Sequence, residues 1–172
     1  MIIQHMIASL ENFGAHVPGS LRDLSDEDAR WKPPTQNWSI LEIICHLIDE
    51  EREDFRSRIQ TTLDEPGKIW PSINPELWAV DRRYNERDFQ EMLEELSRER
   101  IESVKWLKSL DHPNWYETYE HPHLGPIRAG DLLVAWVAHD HLHVRQISKR
   151  RYEMVTRDAG SFTCSYAGDW AN

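Results

Sequence analysis

The chain has 172 residues and a formal net charge of −10, from 30 acidic against 20 basic residues. That balance repels phosphate backbones and anionic membranes, so non-specific nucleic-acid or membrane binding is not expected. Two cysteines, Cys45 and Cys164, lie outside any CxxC and imply no disulfide framework, and no apolar run approaches the roughly 18 residues of a membrane span.

The length suits one domain over residues 1–172, enough to bury a core. The first residues lack a basic region followed by a long apolar run, so the expected location is cytoplasmic. Ile2 to Ala15 reads as a first helix with Met6, Leu10 and Phe13 on one side. Ser25 to Asp28 reads as a short capped turn leading to Trp31. Ser39 and Glu42 form a capping box that opens a second helix running to about Leu63.

Asp64 to Arg83 is a connection with three prolines, Trp70 and Trp78, and loops of that length are often functional. Asn85 to Leu110 is the third helix, and Asp111 to Gly125 is irregular. The fourth helix begins near Ala129 and reaches about Met154, and a tail of about 156–172 packs on it or extends away. No strand-like alternation of useful length is apparent. The expected fold is all-α, a four-helix bundle of up-and-down type.

His139 and His143 are four residues apart on the fourth helix, so their rings leave one face about 40° apart. Neutral imidazoles so placed suit a divalent metal. His46, on the second helix, is the candidate third ligand, because bundles build metal sites from inward side chains of facing helices. Three histidines would leave one coordination position open, as in catalytic sites. Glu50, one turn after His46, is a candidate ligand support, further ligand or general base, and Gln146 a candidate for orienting bound water or substrate. The plainer reading makes all three histidines core residues. His141 should face solvent, and His5, His16, His112, His121 and His123 fall on polar faces or in loops. Cys45 reads as a small buried apolar residue or, less simply, a thiolate ligand, and Trp136 as core.

His139-Asp-His-Leu-His143 is close to H-E-x-x-H, but an aspartate falls one methylene short of the protease base. A di-iron bundle needs paired Glu-x-x-His motifs on its helices, which the chain does not supply.

Asn37-Trp-Ser-Ile40, His46-Leu47, Leu124-Gly-Pro126, Trp136-Val-Ala-His-Asp140, His143 and Gln146-Ile147 together resemble the DinB-like superfamily. These are small four-helix metal-binding proteins that include damage-inducible and bacillithiol-transferase-like members. The resemblance runs from about Leu10 to Ile147 and implies an up-down-down-up bundle. It also implies a metal triad at His46, His139 and His143 carrying zinc or nickel, and frequent homodimers. A small-molecule substrate is implied, with a low-molecular-weight thiol among the candidates, although no basic pocket motif for an acidic thiol is apparent. The function expected is therefore a metal-dependent thiol transferase or hydrolase, with Glu50 and Gln146 as catalytic candidates. The alternatives are a non-catalytic dimeric module with a structural or adventitious metal, and a stress-response binder that uses Trp70 and Trp78 to hold an apolar ligand.

Overall fold

The computed structural model describes residues 2–170, so Met1 and the last two residues of the tail lie outside it. Helix α1 spans Ile2–His16, and the short α2 spans Asp26–Arg30 behind Ser25, whose hydroxyl accepts from the Asp28 amide. The second long rod is α3 (Ile40–Asp49), a π segment (Glu50–Phe55) and α4 (Arg56–Asp64). Its start is the capping box read from the sequence: Ser39 Oγ accepts from the Glu42 amide at 3.1 Å, and Glu42 Oε2 accepts from the Ser39 amide at 2.8 Å.

The connection after α4 contains α5 (Pro75–Asp81). Helix α6 spans Phe89–Ser109 and starts later than expected. Asp88 is its N-cap, accepting from the Glu91 amide at 2.8 Å, while Tyr84–Glu86 forms a separate tight turn. The irregular stretch before the fourth helix holds a hairpin that the sequence reading missed, β1 (Thr118–His121) paired antiparallel with β2 (Gly125–Arg128). Four-residue strands are too short to show alternation, and the three-residue turn needs Gly125 at a φ of +74°. Helix α7 spans Ala129–Asp158, one turn longer than expected. The tail folds back on it, with the Trp170 ring 5.7 Å from that of Tyr152. No helix is long and apolar enough to cross a membrane among the described residues.

Ion pairs and ring contacts give the helix directions. Glu11 pairs with Lys108 at 2.7 Å and Gly14 lies against Arg100, so α1 and α6 are antiparallel. Arg52 reaches Glu95 at 2.6 Å, and Arg56 reaches Glu99 at 2.9 Å and Ser103 at 3.1 Å, so the second rod and α6 are parallel. His46 meets His143, and Phe55 stacks on Trp136, so the second rod and α7 are antiparallel. The result is an up-down-down-up four-helix bundle rather than a simple up-and-down one.

Each long element contributes to two apolar clusters. One gathers Phe13, Ile40 to Ile48, Phe89 to Leu96, Ile147 and Met154. The other gathers Ile7, Leu10, Phe55, Ile59, Val104, Leu107 and Leu132 to Val137. Between them, along the second rod, α6 and α7, lies a layer of buried polar residues: Glu50, Glu51, Asp54, Arg100, Ser103, Asp140 and His143. Arg100 is its centre. It is 2% exposed, donates from Nε to both Glu51 oxygens at 3.0 Å and from Nη2 to Asp140 Oδ1 at 3.0 Å, and reaches Leu10 O at 3.3 Å.

Stranding one side of such a buried pair costs roughly 3–5 kcal/mol, whereas an exposed pair contributes about 0–1. Arg100→Met keeps the apolar stem and removes the charge. It should lower urea-denaturation stability by roughly 3–5 kcal/mol. Glu53→Ala, which loses the exposed pair with Arg82, should cost less than about 1 kcal/mol in the same measurement.

Candidate metal centre

His46 sits in α3, while His139 and His143 stand one turn apart on α7. Their Nε2 atoms converge: His46 to His139 is 3.3 Å, His46 to His143 3.1 Å, and His139 to His143 3.0 Å. Nitrogens about 2.0–2.1 Å from a tetrahedral zinc stand roughly 3.3 Å apart, so the triangle has the size of one face of such a site. Protons cannot satisfy it. One N–H covers one edge and leaves two lone pairs facing each other, whereas a cation satisfies all three nitrogens.

The rings are neutral. Burial, reinforced by the neighbouring histidines, lowers His46 from 6.5 to about 2, and burial with His143 and Arg100 lowers His139 to about 3. Burial lowers His143 to about 4, opposed by its bond to Gln146. Among the described residues this triad is the one group of three metal-ligating side chains brought together.

The π segment shapes the wall. Nine residues at about 100° each would put Phe55 roughly half a turn from His46. The wider π turns bring it back, so its ring lies 5.1 Å from His139 and 5.6 Å from Trp136. No sequence signal marked this segment, and such bulges are frequent at functional sites. It also sends Glu53, which seven residues of regular α-helix would put on the His46 side, out to pair with Arg82 at 2.5 Å. Trp38, just before α3, packs on the other side of His46 with ring centroids 4.9 Å apart.

The two polar candidates both sit at outer ring nitrogens. Gln146 Oε1 is 2.8 Å from His143 Nδ1. That bond keeps the proton on Nδ1 and the lone pair on Nε2, so Gln146 holds a histidine where the sequence suggested a bound water or substrate. Glu50 Oε1 is 3.8 Å from His46 Nδ1, and neither atom has a hydrogen-bond partner. Burial, then a hydrogen bond to Asp54, pushes the Glu50 carboxyl up to about 8. Asp54 in turn pairs with Arg58 at 2.7 Å.

Other candidates fall away. Cys45 Sγ is 3.8 Å from Tyr84 O, and burial pushes its thiol up to about 12, so it is not a ligand. His141 is exposed and Trp136 is core, both as expected. Trp70 is 6% exposed and stacked on Tyr119, and Trp78 packs on the first apolar cluster under Arg82, so neither offers an open aromatic platform.

A family model described as the DinB superfamily matches residues 9–147. A protein of Oceanobacillus iheyensis, provisionally named a metal-dependent hydrolase, is 24% identical over 159 residues covering 88% of each chain. Among solved structures, YfiT from Bacillus subtilis superposes with a TM-score of 0.78 at 18% identity, over 88% of this chain and 87% of that one. YfiT is described as a probable metal-dependent hydrolase with an unusual four-helix bundle topology.

The depressed imidazoles set the pH window. In metal-free protein, unfolded rings take up protons below 6.5 while folded rings resist until about 4 or lower, so stability should fall as pH drops across that interval. For the same reason protons compete weakly with metal. Metal content after dialysis from pH 8 to 4 should show a midpoint well below 6.5, and a midpoint at 6.5 would contradict the buried triad. His139→Ala should abolish stoichiometric metal, and Gln146→Ala should weaken affinity roughly 10–100-fold.

Proposed function

The chain belongs to the DinB superfamily, and from that premise we propose that it is a divalent-metal-dependent enzyme of hydrolase type, with zinc or nickel held by His46, His139 and His143. The observation that carries the reading is the triangle of Nε2 atoms, the size of one face of a tetrahedral site and made by two buried rings and one half-buried ring. A bound divalent ion would supply Lewis acidity and bring a coordinated water or thiol to a pKa near neutrality. The provisional names of the Oceanobacillus iheyensis relative and of YfiT point the same way.

The chain's own residues do the rest. Three uncharged ligands leave the full positive charge on the site, which favours an anionic fourth donor. Hydroxide and thiolate both meet that condition, so thiol transfer is the second reading. Gln146 fixes the His143 ring, and Glu50, protonated near neutral pH, faces the outer nitrogen of His46. Both act as positioning residues. Trp38 packs on the His46 ring and Phe55, itself stacked on Trp136, on the His139 ring, which helps to hold the imidazoles in place.

The test compares zinc- and nickel-loaded protein with EDTA-treated protein on a panel of activated esters and amides, and on thiol conjugation to electrophiles. Turnover should require metal, return on reloading, and fall at least about 100-fold in His143→Ala. Ester or amide turnover supports hydrolysis, and conjugation alone supports thiol transfer. A metal-loaded protein inert on the whole panel, whose melting temperature collapses with EDTA, would instead be a non-catalytic module with a structural metal.

A further inference from the structure

The stripe of α7 that carries the histidines does not end at His143. His139, His143, Gln146 and Arg150 follow one another by four, three and four residues along one side of the helix. Beyond Gln146 that side opens on a cavity of about 990 Å³, within the size range that holds small ligands. Trp38, which packs on His46, and Gln146, which holds His143, both line it, so one layer of side chains separates the cavity from the triad.

Its α7 wall is cationic: Arg145, Lys149 and Arg150. In a chain with ten more acidic than basic residues, cations readily find partners. Yet among the described residues neither Arg145 nor Lys149 has an ion-pair partner. Arg150 is 4% exposed, 2.7 Å from Glu153, and its buried Nε–H has no hydrogen-bond partner. Buried donors without partners are uncommon. Among the described residues, Glu76 is the one carboxylate in the lining.

We propose that this cavity is a subsite for an acidic group, so that the substrate is a small molecule bearing a carboxylate or phosphate at one end and the reacting group at the other. The inference rests on the triad's being the reaction centre. At 1.5 Å per residue, Arg145 and Lys149 stand roughly 3 and 9 Å beyond His143 along the axis, which bounds the span of the molecule. The acidic end meets Arg145 and Lys149, guanidinium and ammonium donors suited to carboxylate and phosphate oxygens. The basic pocket that no contiguous motif revealed is assembled by helical spacing.

Trp38 and Trp170 line the cavity, so tryptophan fluorescence reports binding. The titrants are inorganic phosphate and succinate, with uncharged succinamide as control, at fixed ionic strength. They are run on EDTA-treated protein, where no metal can capture the anion, and on zinc-loaded protein. The expected result is saturable binding of at least one anion to both forms. Affinity should fall at least about tenfold in Arg145→Ala/Lys149→Ala, rise in Glu76→Gln, and stay unchanged in Lys105→Ala, which removes an unpaired cation elsewhere. No saturable binding, an equal response to succinamide, or unchanged affinity in the double variant would overturn the subsite. Anion binding to a chain that takes up no metal would retain the subsite and reject the metal reading. Metal uptake without anion binding would do the reverse.

Discussion

The bundle is built around the buried guanidinium of Arg100. Arg100 sits between two apolar clusters and touches Glu51 of the second rod, Asp140 of α7 and the Leu10 carbonyl of α1. Taking a guanidinium out of water is expensive, and only a close fit of carboxylates offsets it. Burial still pushes Glu51 and Asp140 above the usual carboxylate range, even with Arg100 beside them. The network therefore contributes register more than net stability. A one-turn shift of the second rod, α6 or α7 would leave a charge unpaired in an apolar core. α1 can approach because residue 14 is glycine: a Cβ there would stand 2.4 Å from Arg100 Cγ.

That register places the histidines. Asp140 is locked to Arg100, so His139 is presented on the adjoining side of α7, and His143 follows one turn on. Glu51 is locked to the same guanidinium, which fixes His46 a little more than one turn earlier on the opposite rod. The π segment then turns Phe55 inward against both His139 and Trp136. Arg100 has an electrostatic effect too: its charge adds to burial in keeping His139 neutral, the state a metal ligand requires.

Much of this was legible from residue order. The Ser39–Glu42 box, the Leu10 and Phe13 side of the first helix and the paired histidines each depend on neighbours within a few positions, and each appears in the structure as read. What escaped depends on partners far apart in the chain. Arg100 carries no local signal, because Glu51 and Asp140 lie 49 and 40 residues away. The Glu50–Phe55 π segment has no composition of its own, so regular helical counting cannot show that Phe55 turns toward His139. The hairpin strands are too short to alternate. Gln146 was placed on the correct side of α7, but toward a water rather than its own neighbour His143, because one-turn spacing does not reveal where an amide points.

The acidic surface and the cationic cavity wall fit together once distance is considered. A net charge of −10 acts over the whole molecule and turns away polyanions, which meet many repulsive groups at once. At physiological salt that field decays over about 8 Å. A small acid that crosses it meets Arg145 and Lys149 at contact range, where partial desolvation strengthens the attraction. Bulk charge thus sets which anions are admitted, and the α7 wall sets where a small one stops. Held there, it lies at the edge of the histidine triangle through Gln146 and Trp38. Both residues also touch the rings, so a molecule held there rests against the side chains that pack on the triad.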